Sequence, residues 1–217
     1  MKITSNTLVK NGMPFIGKVL KQVAPYMDEM VICISQGSND GTKEEIMRVM
    51  APYQGKIVWM TEDVKFKEEL TEVENDMVKK SSGDWVLFLS DDDYWLPDQL
   101  ELCLKELDKD ASVLSYSVNP YQLIDLQHYD KSWSNKFFAK FLRNKDLNFK
   151  GLWPAEMPYS DCTSLYWKDS KDVAKVLPYR FYHLANLKEG SFRKETWASR
   201  WRYKIGTAVE MPHEVEI

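Results

Sequence analysis

Three consecutive carboxylates, Asp91-Asp92-Asp93, follow the apolar run Trp85-Val86-Leu87-Phe88-Leu89 with only Ser90 between them. Adjacent like charges repel. A chain that sets them on the rim of its core needs a compensating cation, or must leave them in water. Oxygen donors of this kind suit a hard divalent ion such as Mn²⁺ or Mg²⁺. The plainer reading is that they cap a helix beginning near Pro97, since acids favour a helix N-terminus, although one Asp would be enough for that. The apolar run has the length and the Trp, Val and Phe content of a strand covered on both faces. Its C-terminal end is where open α/β sheets bind ligands.

The preceding chain supplies elements to position such a site. Lys2–Val9 reads as a strand ending in the turn signal Lys10-Asn11-Gly12, and residues Met13–Val23 carry apolar side chains at helical spacing with Pro14 in the first turn. Met30–Ile34 is a second buried strand, running into the polar loop Ser35–Thr42, and Lys43–Tyr53 reads as a helix. Lys56–Met60 is a third strand and Glu62–Lys80 a charged, periodic helix that breaks at Ser81-Ser82-Gly83-Asp84. Pro97–Leu107 is a helix and Ser112–Val118 a strand. Strands alternating with helices predict an α/β fold, a mostly parallel sheet flanked by helices. Thr7–Asn11, Ser35–Thr42 and Ser90–Asp93 then meet on one edge of that sheet.

Past Asn119-Pro120 the pattern weakens into a less regular, aromatic-rich C-terminal half. Trp133, Phe137, Phe138 and Phe141 predict an amphipathic helix over Lys131–Arg143, and Asp169–Val176 reads as a short helix. Asn148–Trp167 has no clear assignment. Ser191 is a credible N-cap for a basic, aromatic helix over Phe192–Lys204, and residues from about Thr207 read as a loose tail. With no repeat and no low-complexity linker, residues 1–217 are expected to form one domain: a core over 1–118, a second region over 119–206 and a tail over 207–217.

Taken together, Asn11, the loop Gly37-Ser38-Asn39-Asp40-Gly41-Thr42, Gly83-Asp84, and Ser90-Asp91-Asp92-Asp93-Tyr94-Trp95-Leu96-Pro97 resemble, in order and spacing, the glycosyltransferase family 2 group with its GT-A nucleotide-sugar-binding fold. The resemblance covers roughly residues 2 to 118. It implies a nucleoside-diphosphate sugar as donor, a divalent cation, and transfer to an acceptor hydroxyl, with inversion. Asp92 takes the family's metal-binding position and Asp91 the middle position, which contacts ribose or metal. Asp93 starts the following helix or orients substrate. Asn11, Gln36 and Asp40 fall around the nucleoside, although Asp40-Gly41-Thr42 reads equally well as a structural turn. His183, in Phe181-Tyr182-His183-Leu184, is similar to the histidine that often completes the metal site in this fold; a packed core histidine is the competing reading. Two positions depart from the family pattern. Ser90 stands where the first acid of Asp-x-Asp is expected, removing one metal ligand. Ser35 and Gln36 stand where paired acids are expected, and an amide meets a base edge differently from a carboxylate.

A general base for the acceptor hydroxyl must come from the second half; Asp161, with Glu156 behind it, is the candidate. A turn aspartate is the plain alternative. Between Tyr179 and Lys204 seven basic side chains are interleaved with Phe192, Trp197, Trp201 and Tyr203, a mix that can grip a diphosphate or track a nucleic-acid backbone. That segment and the small size also resemble phage-type transferases acting on hydroxymethylated bases in DNA.

A net charge of -4 excludes a protein that is basic overall and binds nucleic acid by bulk charge, leaving only local basic surface. With 8 Trp and 11 Tyr, either a stacking surface or a large aromatic core is expected. Cys33, Cys103 and Cys162 have no metal-ligand spacing and read as reduced, packed thiols of a cytoplasmic protein. No apolar stretch reaches the ~20 residues of a membrane span, and the N-terminus lacks a signal-peptide core. Two rivals stand beside the transferase. A nucleotidyltransferase on a related sheet would need a Gly-rich basic loop, for which Lys10–Pro14 is too short. A non-catalytic carbohydrate- or nucleic-acid-binding module would account for Ser90 and Gln36.

Overall fold

The computed structural model describes residues 1–62, 70–133, 136–151, 157–160, 163–166, 168–187 and 208–211. The N-terminal alternation is as expected: β1 (Ile3–Val9), α1 (Ile16–Val23), β2 (Glu29–Ser35), α2 (Thr42–Met50), β3 (Ile57–Glu62), α3 (Leu70–Lys80) and β4 (Trp85–Phe88). A two-residue strand β5 (Asp93–Tyr94) then precedes α4 (Pro97–Glu106) and β6 (Ser115–Gln122). The second half adds β7 (His128–Asp130), β8 (Phe138–Arg143), β9 (Leu147–Lys150), β10 (Met157–Ser160), β11 (Thr163–Ser164), β12 (Ala174–His183) and β13 (Ala208–Glu210).

Eight strands form one sheet in the order β3-β2-β1-β4-β8-β6-β12-β5. The pairings β3–β2, β2–β1, β1–β4 and β6–β12 are parallel, whereas β8 is antiparallel to both β4 and β6, and β5 to β12. The sheet is thus mixed but mostly parallel. On one face Ile16, Val19, Leu20 and Val23 of α1, Ile46 and Met50 of α2, and Leu100 and Cys103 of α4 pack over Ile32, Trp85 and Leu87. On the other, Val73 and Met77 of α3 cover Val31, Cys33 and Met60, and Val78 joins Val86, Leu142, Leu147, Phe149 and Leu165. β4 is therefore covered on both sides, which explains its unbroken apolar sequence.

Among the described residues, many of the aromatic rings belong to the core. Trp85, Trp95, Tyr182, Phe141 and Phe181 are among the largest fully buried side chains. Trp95 stacks on Phe181 at 5.1 Å and meets Phe141 edge-on at 5.6 Å.

Several expectations for the second half are corrected. Instead of a helix over Lys131–Arg143 there is a short 3₁₀ turn at Lys131–Trp133 and then β8. Residues 169–173 turn, and β12 begins at Ala174, so Asp169–Val176 is not a helix; hydrogen bonds such as Ala174 N–H to Ser170 O at 2.8 Å give the stretch its helix-like look. β6 runs on through Asn119-Pro120 to Gln122. Pro120 is tolerated because pairing with β8 ends at Val118, so no ladder hydrogen bond to β8 is asked of it. Ala208–Glu210, expected in the tail, pairs antiparallel with β7. Pro14 lies ahead of α1, which starts at Ile16. The helix expected over Phe192–Lys204 lies outside the described residues.

Candidate functional site

β1, β2 and β4 are parallel, so their C-terminal loops share one edge of the sheet. Two of those loops are laced together by their own side chains. Asn11, in the left-handed region at φ 53°, donates its N–H to Ser38 Oγ at 3.2 Å and accepts the Asn39 N–H through Oδ1 at 2.9 Å. Asp40 accepts the Met13 N–H at 3.0 Å, the Thr42 N–H at 3.1 Å and the Thr42 hydroxyl at 2.5 Å. Thr42 Oγ1 in turn accepts the Gly12 N–H at 2.6 Å. Burial opposes ionisation of Asp40, but these donors outweigh it and hold the carboxyl below its usual range. Gly41 completes the turn at φ 88°, a conformation costly for other residues. Asp40 and Asn11 therefore shape the loop pair. Gln36 is exposed beside them, its N–H bonded to Glu62 O at 3.0 Å.

The third loop travels further. After β4 the chain crosses the ends of β8, β6 and β12 and pairs, as β5, with β12 at the far edge. That pairing sets Asp93 opposite His183 and Tyr94 opposite Tyr182. Because strand side chains alternate, Asp93 and His183 share one face, while Tyr94 and Tyr182 stack on the other with ring centroids 6.4 Å apart. The Leu184 N–H to Asp92 O bond, 2.9 Å, fixes the same junction.

Asp92, Asp93 and His183 are all buried, with one donor atom from each lying within 4.8 Å of the others. His183 Nδ1 is 3.4 Å from Asp92 Oδ1 and 3.3 Å from Asp93 Oδ1. Two carboxylates and an imidazole match the donor chemistry of Mn²⁺. Asp93 has a further partner that sequence reasoning missed: the ammonium of Lys140, itself buried, on its Oδ2. The Ser90 N–H donates to the same oxygen at 2.9 Å. Full burial works against ionisation of Asp93, yet the Lys140 charge and the His183 contact pull its pKa below the ordinary carboxylate value.

Among the expected residues, Asp92 and His183 thus come together. Asp93, expected to start a helix or orient substrate, is the second carboxylate of the cluster, and Asp91 is half-buried beside it. Ser90 contributes backbone. Asp161 and Glu156 lie outside the described residues. Lys140 carried no sequence signal because it sits in a stretch that reads as helix.

A mixed α/β sheet with polar loops gathered at the C-terminal ends of parallel strands, and an acidic cluster completed by a histidine, defines the GT-A class of nucleotide-sugar folds. The chain belongs to glycosyl transferase family 2, whose sequence profile matches residues 13–170. Its fold is similar to that of a mannosyltransferase, PcManGT, from Pyrobaculum calidifontis solved with GDP-Man and Mn²⁺: TM-score 0.61, 15% identity, covering 92% of this chain and 60% of that one. It is also similar to S. aureus TarS 1-349, with TM-score 0.53 and 14% identity over 86% of this chain and 62% of that one. This chain therefore spans somewhat under two thirds of both proteins, and the likeness is one of fold. No curated protein matches in sequence.

Proposed function

We propose that this protein transfers a sugar from a nucleoside-diphosphate sugar to an acceptor hydroxyl with the help of Mn²⁺ or Mg²⁺. The observation that carries the reading is the meeting of Asp92 and His183 at the sheet edge, in a chain of family 2. The metal complex of the Pyrobaculum mannosyltransferase supports it. Asp92 and His183 hold the ion, with Asp91 at ribose or metal. A divalent ion held there would supply the positive charge that offsets a departing diphosphate. Asn11, Asp40 and Gln36 form the nucleoside side of the site: the first two by holding the loops, Gln36 by presenting its exposed amide.

The finer assignments belong to the same proposal. Asp161, backed by Glu156, removes the proton from the acceptor hydroxyl, and attack opposite the leaving diphosphate inverts the anomeric centre. A hydroxymethylated base in DNA is the acceptor that the basic, aromatic 179–204 stretch suggests. The protein works in the cytoplasm; among the described residues no helix is long and apolar enough to cross a membrane.

The test is incubation with a panel of sugar nucleotides and Mn²⁺, reading released nucleoside diphosphate with and without hydroxymethylated DNA. Release that stops in EDTA supports the transferase. Formation of sugar nucleotide from sugar phosphate and nucleoside triphosphate would move the chain to the nucleotidyltransferases. Binding of sugar or DNA without turnover would make it a carbohydrate- or nucleic-acid-binding module.

A further inference from the structure

The backbone of β8 is irregular at one residue. In its pairing with β6, Phe141 lies opposite Tyr116 and Ala139 lies opposite Ser117, so Lys140 is the extra residue of a β-bulge. A regular strand would send Lys140 to the same face as Leu142. Leu142 and Ala139 pack with Val86 and Phe149 on that face, whereas Phe141 packs with Trp95 and Phe181 on the other. The bulge lets Lys140 join Phe141. Its Nζ sits 5.0 Å from the Phe181 ring centroid, and its side chain is 5% exposed. Lysine is almost never buried this deeply unless paired, and its partner here is Asp93 Oδ2.

Asp93 is thereby divided between two tasks. One oxygen is taken by Lys140 and by the Ser90 N–H. The other faces His183 Nδ1 at 3.3 Å, the nitrogen that Asp92 Oδ1 also meets at 3.4 Å. A carboxylate behind a histidine fixes the ring and decides which nitrogen is offered to an ion. Building on the transferase reading, we infer that Lys140 is a positioning residue for the cation site: its ammonium occupies Asp93, keeps that carboxylate out of the ion's ligand set, and so turns it into the support that orients His183. Formally, Asp92, Asp93 and Lys140 then present a single negative charge to the ion. Without Lys140 they would present two.

The experiment is a titration of the whole protein with Mn²⁺ alone, followed by electron paramagnetic resonance of the free ion, with thermal melting as a check on folding. Wild type is expected to bind, and Asp92→Asn to lose binding. In the double variant Asp93→Asn/Lys140→Met the buried charge pair is removed while an amide oxygen remains for His183. Mn²⁺ affinity within about threefold of wild type is expected, because Asp93 is not a ligand. Lys140→Met alone exposes the second charge and should bind Mn²⁺ about tenfold more tightly. Loss of more than about tenfold in a folded double variant makes Asp93 a direct ligand and overturns the inference, as does a folded Lys140→Met that binds like wild type. Should Lys140→Met not fold, the double variant decides. A wild type that binds no Mn²⁺ refutes the metal site itself, and the Lys140 role with it.

Discussion

Asp92 and Asp93 are neighbours in sequence and differ in what surrounds them. Asp93 is 1% exposed and carries its own counter-ion, so the repulsion expected of three adjacent carboxylates is answered in part from within the chain. Asp92 meets His183, while the Lys140 ammonium sits on Asp93 Oδ2, which is why Asp92 is the better candidate for an external cation. The cysteines show the same dependence on surroundings. Burial pushes the Cys33 thiol up to about 11 and the Cys103 thiol well above its usual range. The thiolate is the reactive form, and raising the pKa removes it at ordinary pH. Iodoacetamide at pH 8 should therefore leave Cys33 and Cys103 unmodified in the native protein and label both after denaturation, as read by peptide mass spectrometry. Labelling of either in the native state would contradict the burial described.

At the scale of elements, the Gly83-Asp84 pair shows why such a motif precedes the strand. Gly83 N–H bonds to Thr4 Oγ1 at 3.0 Å and Asp84 N–H to Lys2 O at 2.8 Å, fastening the start of β4 to the start of β1. A Cβ on Gly83 would lie 2.7 Å from the backbone nitrogen of Thr4. Gly83→Ala should destabilise by about 1–3 kcal/mol in urea unfolding, since backbone has to shift; an unchanged midpoint would contradict this close approach. Glu29 ties the same end together, accepting from Thr4 Oγ1 at 3.0 Å, from the Ser82 N–H at 2.7 Å and from the Ser82 hydroxyl at 2.5 Å. Burial opposes its ionisation, but those donors and Lys2 hold its pKa below the usual value. A depressed carboxylate stabilises above its unfolded pKa and loses that contribution as pH falls through the folded one. Glu29→Gln should thus cost about 1–2 kcal/mol near pH 7, and the gap to wild type should close as pH drops below about 4. A gap that stays constant down to pH 2 would count against the charge-dependent part.

The same scale shows what was legible in the sequence. β1 to β4 and the helices α1 to α4 were readable because each carries a single unbroken period and ends in turn chemistry, whereas β5 is only two residues long and has no period to read. β8 was not. Its bulge puts Lys140 and Phe141 on one face, so the aromatic residues around them fall at a spacing that imitates a helix. Lys140 was invisible for that reason, and also because it meets Asp93 across 47 positions of sequence. Asp92 and His183 could be picked out because one follows a buried strand and the other ends an apolar run. Asp40 was recognisable as a turn residue, but its bonds to Met13 and Thr42 bridge two loops and needed the fold to be seen.

Across the whole molecule, the parallel half of the sheet brings the loops of β1 and β2 together, and the β4-to-β5 crossing carries the aspartates to the strand that ends in His183. β8 and β12, from the second half of the chain, thus reach the candidate site, β8 supplying Lys140 and β12 supplying His183. The family profile, covering residues 13–170, includes Lys140 but stops short of His183. On the proposed reading, Asp92 serves a metal-assisted sugar transfer. The most direct measurement of that role is the rate of nucleoside diphosphate release from a turned-over sugar nucleotide, as a function of Mn²⁺, in wild type and in Asp92→Asn. Activity should rise with Mn²⁺, disappear in EDTA, and fall by about a hundredfold or more in the variant. Release that is independent of metal, or an Asp92→Asn protein within about threefold of wild type at all Mn²⁺ concentrations, would contradict it.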